Sequence, residues 1–332
     1  MKTTIIAEAG VNHNGRVNIA KKMIKKAAEA GADFIKFQIY DTDSLVTKDA
    51  RKANYQKKNS NKNENQHTML KRYELNFKEF KILKDTCSKH NIKFLSSPFD
   101  INSIKAIKKI GVTTFKIPSG EITNLPYLRF IGSLKKNIIL STGMSSLQEI
   151  SNAIKVLVSK GTSKKNITIL QCNTEYPSPY EDINLLAMSS IRKKFNIDVG
   201  LSDHSPGIEV PIAAVALGAS VIEKHFTLNK KFLGPDHKSS IDFLELKKMA
   251  KSIRNIEKSL GNGIKQVTRS EKKNITFVRK SIVAKEKIFK GQKFTYKNLT
   301  IKRPGNGLSP MKIDQIVGKR AKKNFAKNQQ IK

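Results

Sequence analysis

The chain has 332 residues, 38% of them hydrophobic, and carries 63 Lys and Arg against 27 Asp and Glu, a formal charge of +36. No apolar run approaches the ~18 residues of a membrane helix and the start MKTTIIAEAG lacks a signal-peptide layout, so a cytoplasmic chain with no membrane partner is expected, and two cysteines, Cys87 and Cys172, exclude a disulfide framework or a Cys-ligated zinc site. The charge invites nucleic-acid binding, but lysines scattered over many helix faces among Asn and Ile, with no recognisable nucleic-acid module, describe a solvated surface whose field helps draw in a small anion.

Eight short apolar runs follow one another over the first 225 residues: Thr4–Glu8, Phe34–Gln38, Ile92–Ser97, Thr113–Lys116, Ile138–Ser141, Ile167–Cys172, Ile197–Ser202 and Val221–His225. Stretches of helical period such as Ile19–Ala30 and Leu147–Leu157 lie between them, and this alternation predicts a (β/α)8 TIM barrel over residues 1–265. Strand C-termini converge on one rim in that fold, so Glu8, Gln38, Lys116, Ser141, Ser202 and His225 are expected to face a common cavity. A single polar strand end is as readily a wet junction with a loop; six from different strands carry the inference. Between the second strand and a helix near Phe77 lies a polar insertion, Tyr40–Asn76, with the low-complexity stretch KKNSNKNEN at Lys57–Asn65. A segment of this length is expected to form a partly ordered lid over the strand ends. The helix Phe243–Leu260 closes the barrel, GNG at Gly261–Gly263 stops it, and 266–278 reads as a linker. From Arg279 onward, short β-branched runs with turns at Lys290-Gly291 and Pro304-Gly305 predict a compact, mostly β domain over 279–332.

Two histidines stand out, His204 in LSDHSPG past the seventh strand and His225 in IEKHFTL at the end of the eighth. A lone histidine is more often structural; a pair on adjacent strand ends brings two imidazoles within reach of one divalent cation with open water positions. His13 and His237 accompany them, whereas His67 and His90 read as surface residues. Lys116 and Ser119 in FKIPSGE, Ser141 and Gly143 in STGM, and Ser202 in GLSD supply a lysine, hydroxyls and opened backbone amides for a phosphate, without a Walker loop. Lys36 and Lys116, both inward at strand ends, leave open a rival chemistry, a Schiff base with a carbonyl substrate.

Ten segments in order, AEAGVNHNG (Ala7–Gly15), KFQ (Lys36–Gln38), SSPFD (Ser96–Asp100), FKIPSGEITNLPYL (Phe115–Leu128), STGM, CNTEYPSPYEDINL (Cys172–Leu185), GLSDHS, EKHFTL, GPDH and KRPGNGLSP, resemble the bacterial sialic acid (N-acetylneuraminate) synthase family over almost the whole chain. The distal domain is similar to the antifreeze-protein-like, or SAF, domain of those enzymes. The resemblance implies that His204 and His225 ligate a divalent metal, Mn²⁺ preferred with Mg²⁺ or Co²⁺ as substitutes. It implies that Lys116, Ser119, Ser141 and Ser202, with Asn173 or Thr174, hold phosphoenolpyruvate, and that Gln38, Glu121, Tyr176 and Asp236 contact an acylamino-mannose sugar. Glu8 would activate water or shuttle a proton, and Arg303 with Phe277 nearby would reach the sugar of the other subunit in a domain-swapped homodimer. The implied reaction condenses phosphoenolpyruvate with N-acetylmannosamine and water to N-acetylneuraminate and phosphate; the alternative sugar, 2,4-diacetamido-2,4,6-trideoxymannose, gives N,N'-diacetyllegionaminate. The segments CNTEYP and KRPGNGLSPM favour the first sugar. Because histidine must be neutral to bind a metal, activity is expected to collapse below about pH 6.5.

Overall fold

The computed structural model describes residues 2–60 and 63–332, which divide into two compact units at Gly261/Asn262. The first unit holds eight strands: β1 (Thr4–Gly10), β2 (Phe34–Ile39), β3 (Lys93–Pro98), β4 (Thr114–Ile117), β5 (Asn137–Ser141), β6 (Ile167–Cys172), β7 (Asp198–Asp203) and β8 (Val221–His225). All paired neighbours are parallel, in the order β3-β2-β1-β8-β7-β6-β5-β4, and β3 packs beside β4 to make a nearly closed TIM barrel, as the sequence predicts. Helices return the chain between strands, several starting at a capping box the sequence spells out: Asn76 with Glu79, Ser146 with Glu149, and Asp242 with Glu245.

Side chains alternate along each strand. The outward set, including Ile5, Ala7, Ile35, Phe37, Phe115, Leu140, Ile169, Val199 and Ile222, joins the helices in the main core. The inward set begins with a dry layer of Ile6, Leu95, Ile139, Leu170 and Val221, with Phe34 packed against it. That layer plugs the interior below the rim, as barrel interiors are filled in layers. Gly200 belongs to it because a Cβ there would sit 2.2 Å from the Val221 carbonyl oxygen and 2.8 Å from Leu170 Cδ2. Gly200→Ala is therefore expected to lose about 3 kcal/mol, the upper end for overpacking, since backbone on the neighbouring strand has to move. A urea midpoint equal to wild type would refute this account of the glycine.

The insertion after β2 is built from short helices, Thr42–Leu45, Asn54–Asn59 and Gln66–Tyr73. Asn65 caps the last of these by accepting from Thr68 N at 2.8 Å. A small core of Val11, Tyr40, Met69 and Tyr73, backed by Leu45, Leu70 and Phe99, fixes the segment to the rim. Of the low-complexity stretch Lys57–Asn65, Asn61 and Lys62 lie outside the described residues.

The second unit, 262–332, begins with short helices at Arg269–Lys272 and Asn274–Val278 where the sequence reads as a linker. Strands β9 (Ser281–Ala284) and β10 (Leu299–Lys302) pair antiparallel around a core of Ile282, Ala284, Ile288, Phe294, Leu299, Phe325 and Ile331. This is the small β domain expected after the barrel. No helix among the described residues is long and apolar enough to cross a membrane.

Candidate active site

Above the dry layer, the inward positions turn polar and line a cavity of about 290 Å³ at the C-terminal mouth of the barrel. Glu8, Lys36, Gln38, Lys116, Ser141, Ser202 and His225 all reach it, so the six strand ends singled out by sequence do share one opening. Loops add Ser119, Thr174, Tyr176 and His204, and the insertion adds Leu45, Val46, Tyr55, Gln56, Gln66 and Leu70. The lid thus supplies a wall, much of it apolar.

At the floor four buried charges interlock. Lys36 Nζ lies 3.0 Å from Glu8 Oε2 and 3.0 Å from Glu223 Oε2, while Lys116 Nζ lies 3.3 Å from Glu223 Oε1 and donates to Ser141 Oγ at 2.7 Å. Ser202 Oγ also donates to Glu223, at 2.8 Å. Burial opposes charge on every member, so the outcome depends on how many partners each one has. Glu223 has two lysines and a hydroxyl, which overcome burial and hold its carboxyl far below the usual range. Glu8 has one lysine; burial, reinforced by the charge of Glu223, pushes its carboxyl up to about 7. Burial works against the Lys36 ammonium too, but Glu223 and Glu8 outweigh it and raise its pKa, whereas burial prevails at Lys116 and lowers it. Two lysines thus share one carboxylate that is held ionised, Glu223, and a second, Glu8, whose carboxyl sits near 7, an arrangement suited to receive an anion beside the lysines.

The two histidines meet across the mouth with ring centroids 5.2 Å apart. His204 Nδ1–H donates to the Asn173 carbonyl at 2.5 Å, which leaves its Nε2 lone pair free. His225 Nδ1 is buried with no hydrogen-bond partner among the described residues, the nearest carboxylate oxygen being Asp236 Oδ2 at 4.0 Å. The Tyr176 ring packs against His204 at a tilt of 34°, centroids 4.1 Å apart, and meets His225 edge-on at 5.5 Å. An orphaned imidazole nitrogen beside a second imidazole with a free lone pair is a donor set that fits a divalent cation completed by water or substrate oxygens. No cluster of three His, Cys, Asp or Glu side chains poised for a metal occurs among the described residues, so the pair stands by itself. Burial, the His204 ring and Lys36 hold His225 well below an ordinary imidazole, while for His204 burial is overcome by the neighbouring Cys172 and the shift is upward.

Other sequence-nominated residues are dispersed around this centre. Gly143 N donates to Ser119 Oγ at 3.0 Å, and a Cβ at Gly143 would lie 2.5 Å from Thr174 Cγ2, so the STGM glycine lets three loops close over the floor. Thr174 lines the cavity; the Asn173 side chain instead accepts from Glu175 N and Ser178 Oγ within its own loop. Glu121 lies behind the lining, accepting from Asn124 Nδ2 at 2.6 Å. Asp236 lines an adjoining lobe with Gln38, Tyr55, Leu70, Tyr176 and His225, and burial pushes its carboxyl up to about 6. Phe277 and Arg303 belong to the second unit and are exposed, Phe277 on the short helix Asn274–Val278 and Arg303 on a loop, the two segments joined by Gly305 N donating to the Thr276 carbonyl at 2.6 Å.

Sequence reading left out Glu223 and Ser97. Glu223 stands beside Lys224 in IEKHF, where two adjacent charges look like solvated surface; its distance of two residues from inward-facing His225 is the signal that finds it. Ser97, paired in register with Gln38, lines the cavity with a buried hydroxyl that has no partner among the described residues.

Comparison with known proteins bears on this geometry. The NeuB family matches residues 23–265 and the SAF domain matches 279–332. N,N'-diacetyllegionaminic acid synthase of Campylobacter jejuni subsp. jejuni serotype O:2 is 52% identical over 331 residues, covering 100% of this chain and 99% of that protein. The protein of the same name from Legionella pneumophila subsp. pneumophila is 43% identical, covering 98% and 92%. The crystal structure of N-acetylneuraminic acid (sialic acid) synthetase from Leptospira borgpetersenii serovar Hardjo-bovis superposes with a TM-score of 0.74 at 36% identity, covering 83% of this chain and 90% of that one.

Proposed function

Because the chain belongs to the NeuB family, we propose that it condenses phosphoenolpyruvate with 2,4-diacetamido-2,4,6-trideoxymannose and water, giving N,N'-diacetyllegionaminate and inorganic phosphate. The observation that carries the choice of sugar is the 52% identity, end to end, to a synthase of that product, against 36% to an N-acetylneuraminic acid synthetase. This moves the weight from N-acetylmannosamine, favoured by CNTEYP and KRPGNGLSPM, to the alternative sugar. Those two segments lie outside the lid, whose side chains form much of the cavity wall beside Thr174 and Tyr176 of CNTEYP.

Phosphoenolpyruvate rests on the floor, with Lys36 and Lys116 opposite its charges and the hydroxyls of Ser97, Ser119, Ser141 and Ser202, with Thr174, around them. The open-chain sugar lies above, its aldehyde toward the histidines, where Gln38, Tyr176 and Asp236 are within the same opening and its adjoining lobe. C3 of phosphoenolpyruvate attacks the aldehyde carbon, water adds to the resulting cation at C2, and the tetrahedral intermediate expels phosphate by C–O cleavage. His204 and His225 would hold a divalent cation, Mn²⁺ first, which when bound supplies Lewis-acid stabilisation of the developing alkoxide. Glu8, with a carboxyl poised near 7, gives a proton to that alkoxide and accepts one from the attacking water. The fixed lysines and hydroxyls stabilise charge as it moves from enol phosphate to leaving phosphate. The proposal includes a homodimer in the cytoplasm, in which Arg303 and Phe277 meet the sugar's acetamido group in the partner's cavity.

A Schiff base at Lys36 is the poorer reading, since Glu223, with Glu8 behind it, raises the pKa of that amine against burial and so favours its protonated, non-nucleophilic form. Phosphate release measured with phosphoenolpyruvate, Mn²⁺ and each sugar tests the assignment. The trideoxy sugar is expected to have at least about tenfold the kcat/KM of N-acetylmannosamine, a difference of ~1.4 kcal/mol. A preference for N-acetylmannosamine would reverse it.

A further inference from the structure

We propose that Lys224 is a positioning residue whose buried ammonium sets the spacing of His204 and His225. Glu223 and His225 point into the barrel, so Lys224 points outward, where Val199, Leu201 and Ile222 of the same two strands are apolar. Yet Lys224 is 1% exposed. Its Nζ lies 2.5 Å from Asp203 Oδ2 and donates to the Ser205 carbonyl at 2.5 Å, while Ser205 N donates to Asp203 Oδ1 at 3.0 Å. Asp203 is also the register partner of Lys224 across β7 and β8. These bonds close a ring around residues 203–205 with His204 at its apex, and the next peptide after Lys224 carries His225. One side chain thereby ties both imidazoles to a single point of the frame.

Fold stability alone does not call for the pair. A buried ion pair exchanged for well-packed apolar groups is often neutral or stabilising, whereas removing one partner leaves an uncompensated charge. What an apolar pair cannot do is hold the Ser205 carbonyl and so fix the loop that aims His204. Partners that orient metal ligands typically matter by 10–100-fold in affinity. The inference rests on the reading that the two imidazoles hold a divalent cation.

The test is Mn²⁺ calorimetry on the full chain, wild type against Lys224→Met, Asp203→Asn and the double variant Lys224→Met with Asp203→Leu. The double variant removes both charges and so retains the fold, which a thermal melt checks; Asp203→Asn is the milder second route. Each variant is expected to weaken the Mn²⁺ Kd by about 10–100-fold, with phosphoenolpyruvate affinity in metal-free buffer staying within about twofold of wild type. A folded double variant that binds Mn²⁺ like wild type overturns the positioning role, as does a parallel loss of phosphoenolpyruvate binding, which marks general collapse of the site. Wild-type protein that takes up no Mn²⁺ removes the metal reading itself, and the positioning role with it.

Discussion

Replacing His225 with alanine is expected to abolish Mn²⁺ uptake and lower kcat/KM by about 10³-fold or more, because Lewis-acid stabilisation of a developing alkoxide is worth several kcal/mol. The imidazole is buried and its Nδ1 has no hydrogen-bond partner among the described residues, so the substitution breaks no hydrogen bond at that atom. The floor of lysines and serines is untouched, and phosphoenolpyruvate affinity measured without metal should stay near wild type. Chelation of the wild-type protein should reproduce the defect, and added Mn²⁺ should reverse it. A His225→Ala protein that turns over at the wild-type rate, or a wild-type enzyme indifferent to chelator, would remove the metal from the proposal.

Glu8→Gln is expected to make the enzyme slower and, in alkaline buffer, more stable. Loss of a positioned acid–base group lowers kcat by about 10²–10⁴-fold. The stability effect follows from burial, which with Glu223 raises the Glu8 carboxyl from the ordinary 4.5 to about 7 against the pull of Lys36. Between those values the folded protein holds a proton that the unfolded chain has released, so stability declines as pH rises from 4.5 and the decline is complete above 7. Glutamine removes that term, a gain of roughly 3 kcal/mol at most above pH 8 and none below pH 4. Lys36 keeps Glu223 as its partner in the variant. Thermal unfolding at pH 5 and pH 8.5 reads the difference: a stability gap that fails to widen with pH would mean Glu8 is ionised in the native protein and unsuited to give up a proton.

Strands were the most legible part of this chain. The runs Ile167–Cys172 and Val221–His225 match the observed strands residue for residue, and the others differ by a residue or two, because short β-branched runs bounded by turns leave few alternatives. The common cavity followed from topology rather than from any single motif: once eight parallel strands form a barrel, polar C-terminal ends must converge. The lid and the 266–278 segment were legible only as polar connections, since helices of four to eight residues such as Thr42–Leu45 and Gln66–Tyr73 give too little periodicity to reveal themselves. Charge partnership was the other blind spot. That Lys36 answers to Glu223 from β8 as well as Glu8 from β1 depends on three strands meeting, and no sequence spacing encodes it.

Leu45, Val46, Tyr55, Gln56 and Leu70 hang on the β2 connection and are anchored by their own small cluster around Tyr40, Met69 and Tyr73, apart from the main hydrophobic interior. Evolution can therefore rewrite this panel without disturbing the frame that holds the reacting groups. Mutations there would retune which acyl groups or deoxy positions are admitted, while the catalytic floor is inherited unchanged. For engineering, libraries confined to the wall positions Val46, Tyr55 and Gln56, which lie outside that anchoring cluster, should change acceptor range at small penalty to folding, whereas the same number of changes spread over the strands should not.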